Sequence, residues 1–354
     1  ITVNSPKEIM DVSNGKLISN ELLADGTRTT SWEVVNPINN YGVNMNIADY
    51  VHWSSVYMGE KGPLNLDFYV YPQNLEKSKI QFQDAYRVLE ALEYWFGPYP
   101  FYEDGYKLVE VPYLGMEHQS SVTYGNNYKN GYLGTDLSGT GWGLKWDYII
   151  IHESGHEWFA NNITYKDIAD MWIHEGFTSY SEGLFTEYFY GKEAGAEYLR
   201  GLRKGISNDA PIIGQYDVNQ EGSGDMYPKG ANMLHTIRQI IDNDTLWRAI
   251  LRGLNEEFYH QTVTTQQIEN YIIEKSGCDL QSVFDQYLRT SHPPQLIVQK
   301  KRKKVTYYWG KTVPNFKMPI DVFCNGEKIR ILPSHEKKTL KAKTFVVDEN
   351  FYLR

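Results

Sequence analysis

Cysteine is nearly missing: the 354-residue chain holds two, Cys278 and Cys324. One pair cannot staple a scaffold, and nothing near either residue resembles a Cys-rich metal site, so neither device organises the fold. No stretch approaches the ~18 apolar residues of a membrane span. Positive charge is in deficit, with 35 Lys and Arg against 44 Asp and Glu and a net charge of -9, which argues against a general nucleic-acid binder. Internal repeats and low-complexity tracts are absent. The chain also lacks an initiator Met and begins at Ile1 inside strand-like sequence. It therefore reads as a fragment or a processed product, from which a signal peptide could have been removed.

Aromatics, by contrast, are abundant, with 28 Tyr and 9 Trp. Packing is the commoner use of such residues, and a peptide- or carbohydrate-facing surface is compatible with them. With the missing start, the aromatic- and Asn-rich composition makes the cell envelope or exterior the expected compartment. Length alone leads us to expect two or three domains with ample core.

Residues 1 to about 70 alternate β-like runs with turn signals. Lys16 to Leu23, Thr27 to Val35, Val43 to Ile47 and Leu66 to Tyr71 read as strands. Apolar spacing from Asn74 to Phe96 is helical and stops at Gly97-Pro98. Lys107 to Val111 is a further strand, and Val122 to Tyr124 reads as an edge strand. Gly125 to Gly143 reads as a long loop. From Lys145 the pattern is helical: two helices around His152 and Glu175, then Glu193 to Lys204, Pro228 to Ile241, Thr245 to Phe258, Gln266 to Lys275 and Leu280 to Arg289. Thr264 with Gln267 forms a capping box, and Asp279 precedes Leu280 as a cap. Beyond Pro293-Pro294, short strands suggest a small β-sandwich, with the basic run Lys300 to Lys304 as a solvated hairpin turn.

The chemistry concentrates in His152-Glu153-Ser154-Gly155-His156. Histidines four apart lie one turn apart on one helical face, close enough to grip a single ion. Catalytic zinc takes three protein ligands and keeps its fourth position open, so a carboxylate is wanted. Glu175 lies 19 positions after His156, far enough for the chain to leave the helix, turn through Asn161 to Thr164 and return on a second one. Glu153 is then free to act as general base on an activated water and to pass the proton to the leaving amine. In a chain of this composition the His-Glu-x-x-His pattern arises by chance with a probability of roughly two percent. The spaced Glu175 lowers that further, so a zinc hydrolase is expected rather than a helix with two stray histidines.

These residues, with Trp158-Phe159 after the first motif and Trp172, Gly176, Phe177 and Tyr180 around Glu175, resemble the gluzincin aminopeptidases of the aminopeptidase N and leukotriene hydrolase type, peptidase family M1. Gly115-Met116-Glu117 is similar to that family's exopeptidase motif, and Tyr227-x-Lys229-Gly230-Ala231 to its catalytic-tyrosine segment. The similarity covers most of residues 70 to 290. It implies that Glu117 binds the free α-amine of a peptide, that the backbone of Gly115 and Met116 holds the first residue, and that Tyr227 donates to the oxyanion. It also implies one Zn2+ per chain on His152, His156 and Glu175.

The implied fold is α+β and multidomain. Residues 1–50 would be the last strands of a truncated N-terminal β-domain, 51–292 a thermolysin-like, mainly helical catalytic domain, and 293–354 a β-sandwich. A bacterial member lacking most of its N-terminal domain is expected. Two positions depart from the pattern: His118 and His174 stand where the family carries Asn, each read as a hydrogen-bonding substitute rather than a ligand. Peptides with a free N-terminus are the implied partners, with no nucleic acid. A thermolysin-like endopeptidase, a leukotriene-type epoxide hydrolase and a catalytically retired peptide-binding scaffold are the alternatives, and Glu117 discriminates the first of them.

Overall fold

Alternating exposed and half-buried side chains from Val51 to Gly59 form a strand that the sequence reading had passed over, and it opens the sheet on which the site rests. The computed structural model describes all 354 residues. In this five-stranded sheet the order is Val51–Gly59, Gly62–Val70, Tyr106–Glu110, Val122–Tyr124, Gly115–Met116. Tyr106–Glu110 pairs in parallel with both its neighbours, and Gly115–Met116 closes the sheet antiparallel to Val122–Tyr124. The edge is thus Gly115–Met116, not Val122–Tyr124. The chain leaves Glu110, passes outward through Pro112, and re-enters one position inside the edge it has just formed.

Ahead of this sheet, Thr2–Pro6, Thr27–Glu33 and Lys16–Leu22 make a three-stranded sheet, and Met10–Ser13 pairs with Met45–Ala48. Trp32 and Val12 carry this layer onto Tyr69 and Val109 of the larger sheet.

The expected single helix over Asn74 to Phe96 is two, Leu75–Gln81 and Gln83–Phe96, broken at Phe82. Seven further helices follow: Tyr148–Gly155, Trp172–Tyr190, Lys192–Leu202, Pro228–Ile241, Asp244–Glu257, Thr265–Ser276 and Gln281–Arg289. The Thr264–Gln267 capping box is present. Asp279 does not cap its helix; Leu280 holds that position, and Asp279 pairs with Lys317 at 3.3 Å instead.

Two antiparallel three-stranded sheets end the chain, ordered Leu296–Lys301, Lys304–Trp309, Lys338–Lys341 and Glu327–Ile331, Ile320–Cys324, Phe345–Val347. They share one continuous apolar core with the helices. Polar ties add to it: Tyr352 N–H donates to Thr236 Oγ1 at 3.1 Å and Arg200 donates to Asn350 at 2.8 Å. Both cysteines are free. No helix is long and apolar enough to cross a membrane. The architecture is α+β, with the helical layer between flanking sheets in sequence order.

Candidate active site

The helix Tyr148–Gly155 starts where Asp147 caps it, its carboxylate accepting from the Ile149 and Ile150 amides. It ends earlier than the pattern suggests. His156 is the C-cap, and Glu157 to Ala160 leave the helical path because Trp158 donates its indole N–H to Gly97 O and Glu157 accepts from the Ser120 amide. His156 N–H still donates to His152 O at 3.3 Å, so the two imidazoles keep the one-turn relationship.

Glu175 enters from the first turn of Trp172–Tyr190. Its Oε2 lies 3.5 Å from His152 Nε2 and 3.3 Å from His156 Nε2. The same oxygen is buried without a hydrogen-bond donor. The outer nitrogens of both rings are committed elsewhere. His152 Nδ1 donates to Glu182 Oε1 at 2.7 Å, and Glu182 Oε2 in turn accepts from the Tyr198 hydroxyl at 2.6 Å. His156 Nδ1 donates to the Phe159 carbonyl at 3.1 Å, with Thr178 Oγ1 3.0 Å away. Each ring is therefore fixed with Nε2 turned inward, the arrangement that second-layer partners impose on metal-binding histidines. Two inward nitrogens and one orphaned carboxylate oxygen fit a zinc-sized cation, and these are the donor types zinc prefers.

Electrostatics point the same way. Four buried carboxylates, from Glu117, Glu153, Glu175 and Glu182, surround two imidazoles. Burial by itself would lower His152, yet Glu175 and Glu182 raise it well above the ordinary imidazole range, and His156 is raised to about 9 against burial chiefly by Glu175. Burial likewise opposes ionisation of Glu175, but the two imidazoles hold it far below the usual carboxylate value. Glu153 is pushed up, first by burial and further by Glu117. Such a pocket favours positive charge at its centre.

Glu117 and Glu153 each bring an oxygen within 4.8 Å of a nitrogen of His156. The approach depends on Gly115. A β-carbon there would stand 2.7 Å from Ile149 Cγ2 and 3.2 Å from Glu153 Cγ, so only glycine lets the edge strand lie this close to the helix. Met116 is half-buried beside it. The chain after Glu117 is held by Asn161, whose amide donates to the Glu117 carbonyl at 2.8 Å.

Tyr227 stands just before Pro228, which opens the next helix. Its ring stacks on His152 with centroids 6.0 Å apart, and it is one of few site side chains partly open to solvent, at 37%. Burial of the hydroxyl, and then the Glu175 carboxylate beside it, raise its pKa. Lys229 does not face the site; it donates to Thr290 O and Ser291 O.

The two departures from the pattern take different places. His174 Nε2 accepts from the Tyr165 amide at 2.9 Å, and its ring lies between Tyr165 and Tyr41, 4.3 and 6.3 Å away. Burial lowers it to about 3, so it is neutral. His118 is half-buried, with Nδ1 lacking a partner. Neither belongs to a three-donor cluster.

The sequence reading missed Glu182, Tyr148, Thr178 and Tyr41. Glu182 could have been found: it lies seven residues after Glu175, two turns along the same face. Tyr148, whose hydroxyl is 3.2 Å from His152 Nδ1, is likewise one turn before that histidine.

A peptidase family M1 domain model matches residues 80–287. Among curated proteins, the chain is 23% identical over 348 residues to endoplasmic reticulum aminopeptidase 1 of Mus musculus, covering 92% of this chain and 36% of that protein. Against leucyl aminopeptidase of Saccharolobus solfataricus it is 22% identical over 294 residues, covering 76% and 36%. It thus spans little more than a third of these relatives. Among solved structures, it is similar to aminopeptidase A of Legionella pneumophila in complex with aspartic acid, with a TM-score of 0.78 at 17% identity, over 97% of this chain and 42% of that one. It is also similar to the M1 zinc metallopeptidase of Deinococcus radiodurans, with a TM-score of 0.65 at 18% identity, over 82% and 62%.

Proposed function

The chain belongs to peptidase family M1, and from that premise we propose that it is a zinc-dependent aminopeptidase that removes the first residue of peptides with a free N-terminus. One observation carries this reading: the inward nitrogens of His152 and His156 and the unpartnered Oε2 of Glu175 converge within 4.8 Å, and Glu153 and Glu117 each bring an oxygen within the same distance of a His156 nitrogen. One Zn2+ per chain would be held by the first three. When bound, zinc supplies a Lewis acid that polarises a carbonyl and brings the acidity of water to near neutrality.

The chain's own groups do the rest. Glu117 receives the protonated α-amine, and this sets the scissile bond one residue from the N-terminus. Glu153 takes a proton from the attacking water as its oxygen bonds to the carbonyl carbon. Tyr227 donates its hydroxyl hydrogen bond to the oxyanion formed. Glu153 then returns the proton to the amine nitrogen as the C–N bond breaks, which restores the carboxylate. Burial of Glu153 favours such an exchange by making its carboxyl a better proton carrier than a solvated one.

The finer architecture goes with this reading: a thermolysin-like catalytic part over 51–292, the last strands of an N-terminal β-domain over 1–50, and a β-sandwich over 293–354. The test is mass-spectrometric product analysis of one peptide, free or acetylated at its N-terminus, with the zinc-loaded full-length protein. Stepwise loss of single residues from the free peptide alone is expected. Internal cuts in both peptides would replace this reading with an endopeptidase.

A further inference from the structure

We propose that the tip of the hairpin formed by Leu296–Lys301 and Lys304–Trp309 docks on membranes bearing anionic phospholipid headgroups. Charge is laid out unevenly along the chain. Residues 293–354 carry fourteen Lys and Arg against five Asp and Glu, formally +9, in a chain whose total is -9. Five consecutive cations, Lys300 to Lys304, are exposed at the tip, with Arg302 turning the chain at φ 54°.

Register sharpens the point. Lys301 stands opposite Lys304, and Lys304 stands opposite Lys341. Directly opposed residues share a face, so three ammonium groups form one row across three strands, spaced by roughly 5 Å. Like charges so placed destabilise a sheet. The ion pairs of this part involve Lys317, Lys328, Arg330 and Glu349, and none reaches the row. An ordinary soluble surface intersperses both signs. A row that costs stability and is left without acids fits a surface that supplies the negative charge itself.

The flanking features favour lipid headgroups over nucleic acid. The next row on the same face is Gln299, Thr306 and Thr339, side chains able to hydrogen-bond phosphate oxygens. No aromatic ring stands in either row to stack on a base. Strand alternation turns Lys300 to the face opposite Lys301, so charge lies on both faces of the tip. The acidic remainder of the chain is repelled by the same layer, which confines contact to the tip and makes it salt-sensitive.

Co-sedimentation of the full chain with phosphatidylcholine vesicles, alone or with about one-third phosphatidylglycerol, tests this. Binding to the anionic vesicles only, lost at high salt, is expected. The triple variant Lys301→Gln, Lys304→Gln, Lys341→Gln should bind at least about tenfold less while its melting temperature stays level or rises, because repulsion in the row is relieved. Its peptide hydrolysis in solution should be unchanged. No binding by the wild-type chain, or equal binding by a folded variant, would overturn the proposal. So would tighter binding to a single-stranded oligonucleotide than to the vesicles at the same salt.

Discussion

Gly230 faces Gly176 so closely that a β-carbon at position 230 would stand 2.9 Å from the Gly176 Cα. This contact seats Pro228–Ile241 on Trp172–Tyr190 and so sets where Tyr227 lies relative to Glu175. The clash would be with backbone, which cannot swing aside as a side chain does. Gly230→Ala should therefore move Tyr227 away, lowering kcat/KM by about tenfold to a hundredfold and costing about 1–3 kcal/mol of stability. Calorimetry and steady-state kinetics on the purified variant check both; unchanged values in either would mean that the helices are free to part.

Glu182 holds the His152 ring by a 2.7 Å bond to Nδ1 and touches no substrate position. Replacing it by Ala should weaken zinc retention by about 10–100-fold. Competition with a chelator measures this directly, without any assay of turnover. Glu182→Gln, which keeps an acceptor and loses the charge, should fall between the two, and retention equal to wild type in Glu182→Ala would remove Glu182 from the site.

For Glu117, selectivity is the readout. Glu117→Ala should cost about a hundredfold in kcat/KM on substrates with a free α-amine and leave the zinc content intact, because the proposed ligand set of His152, His156 and Glu175 is complete without it. An equal loss on N-blocked substrates would show that Glu117 does not recognise the amine.

The convergence of His152, His156 and Glu175 was legible because helical spacing is a local property: the two histidines had to share a face, and Glu175 had to lie one turn-around later. What escaped depended on distant partners. The helix ends at Gly155 because Trp158 and Glu157 are drawn toward Gly97 and Ser120, some forty to sixty residues away in sequence. Asp279 is not the cap because Leu280 takes that position, and its carboxylate lies 3.3 Å from Lys317, which the loop before Ile320–Cys324 brings from 38 residues away. Val122–Tyr124 is inside the edge because of a crossover that no local pattern encodes. In Lys338–Lys341 the lysines at both ends mask the alternation that would mark a strand. Glu182 needed only a count along one helix, but an acid there looks like any other until His152 is seen against it.

Lys107 is buried under the N-terminal strands, its ammonium donating to the Gly15 carbonyl and lying 5.4 Å from the centre of the Trp32 ring. Burial lowers it to about 8, against the pull of Asp67, Asp104 and Glu157. An unfolded lysine titrates near 10.4. Between these values the unfolded chain binds more protons than the folded one, so stability rises with pH across this window. Below about 8 both states are charged and the full burial penalty applies, at most about 3 kcal/mol. Lys107→Met has no such penalty to relieve. Denaturation midpoints at closely spaced pH values from 7 to 9.5 should therefore show the wild type gaining on the variant as pH rises. Glu157, raised to about 8 mainly by burial, rises further once its cation is gone, which enlarges the difference in the same direction. Parallel curves would mean that Lys107 reaches water, and that the N-terminal strands do not seal it against the sheet.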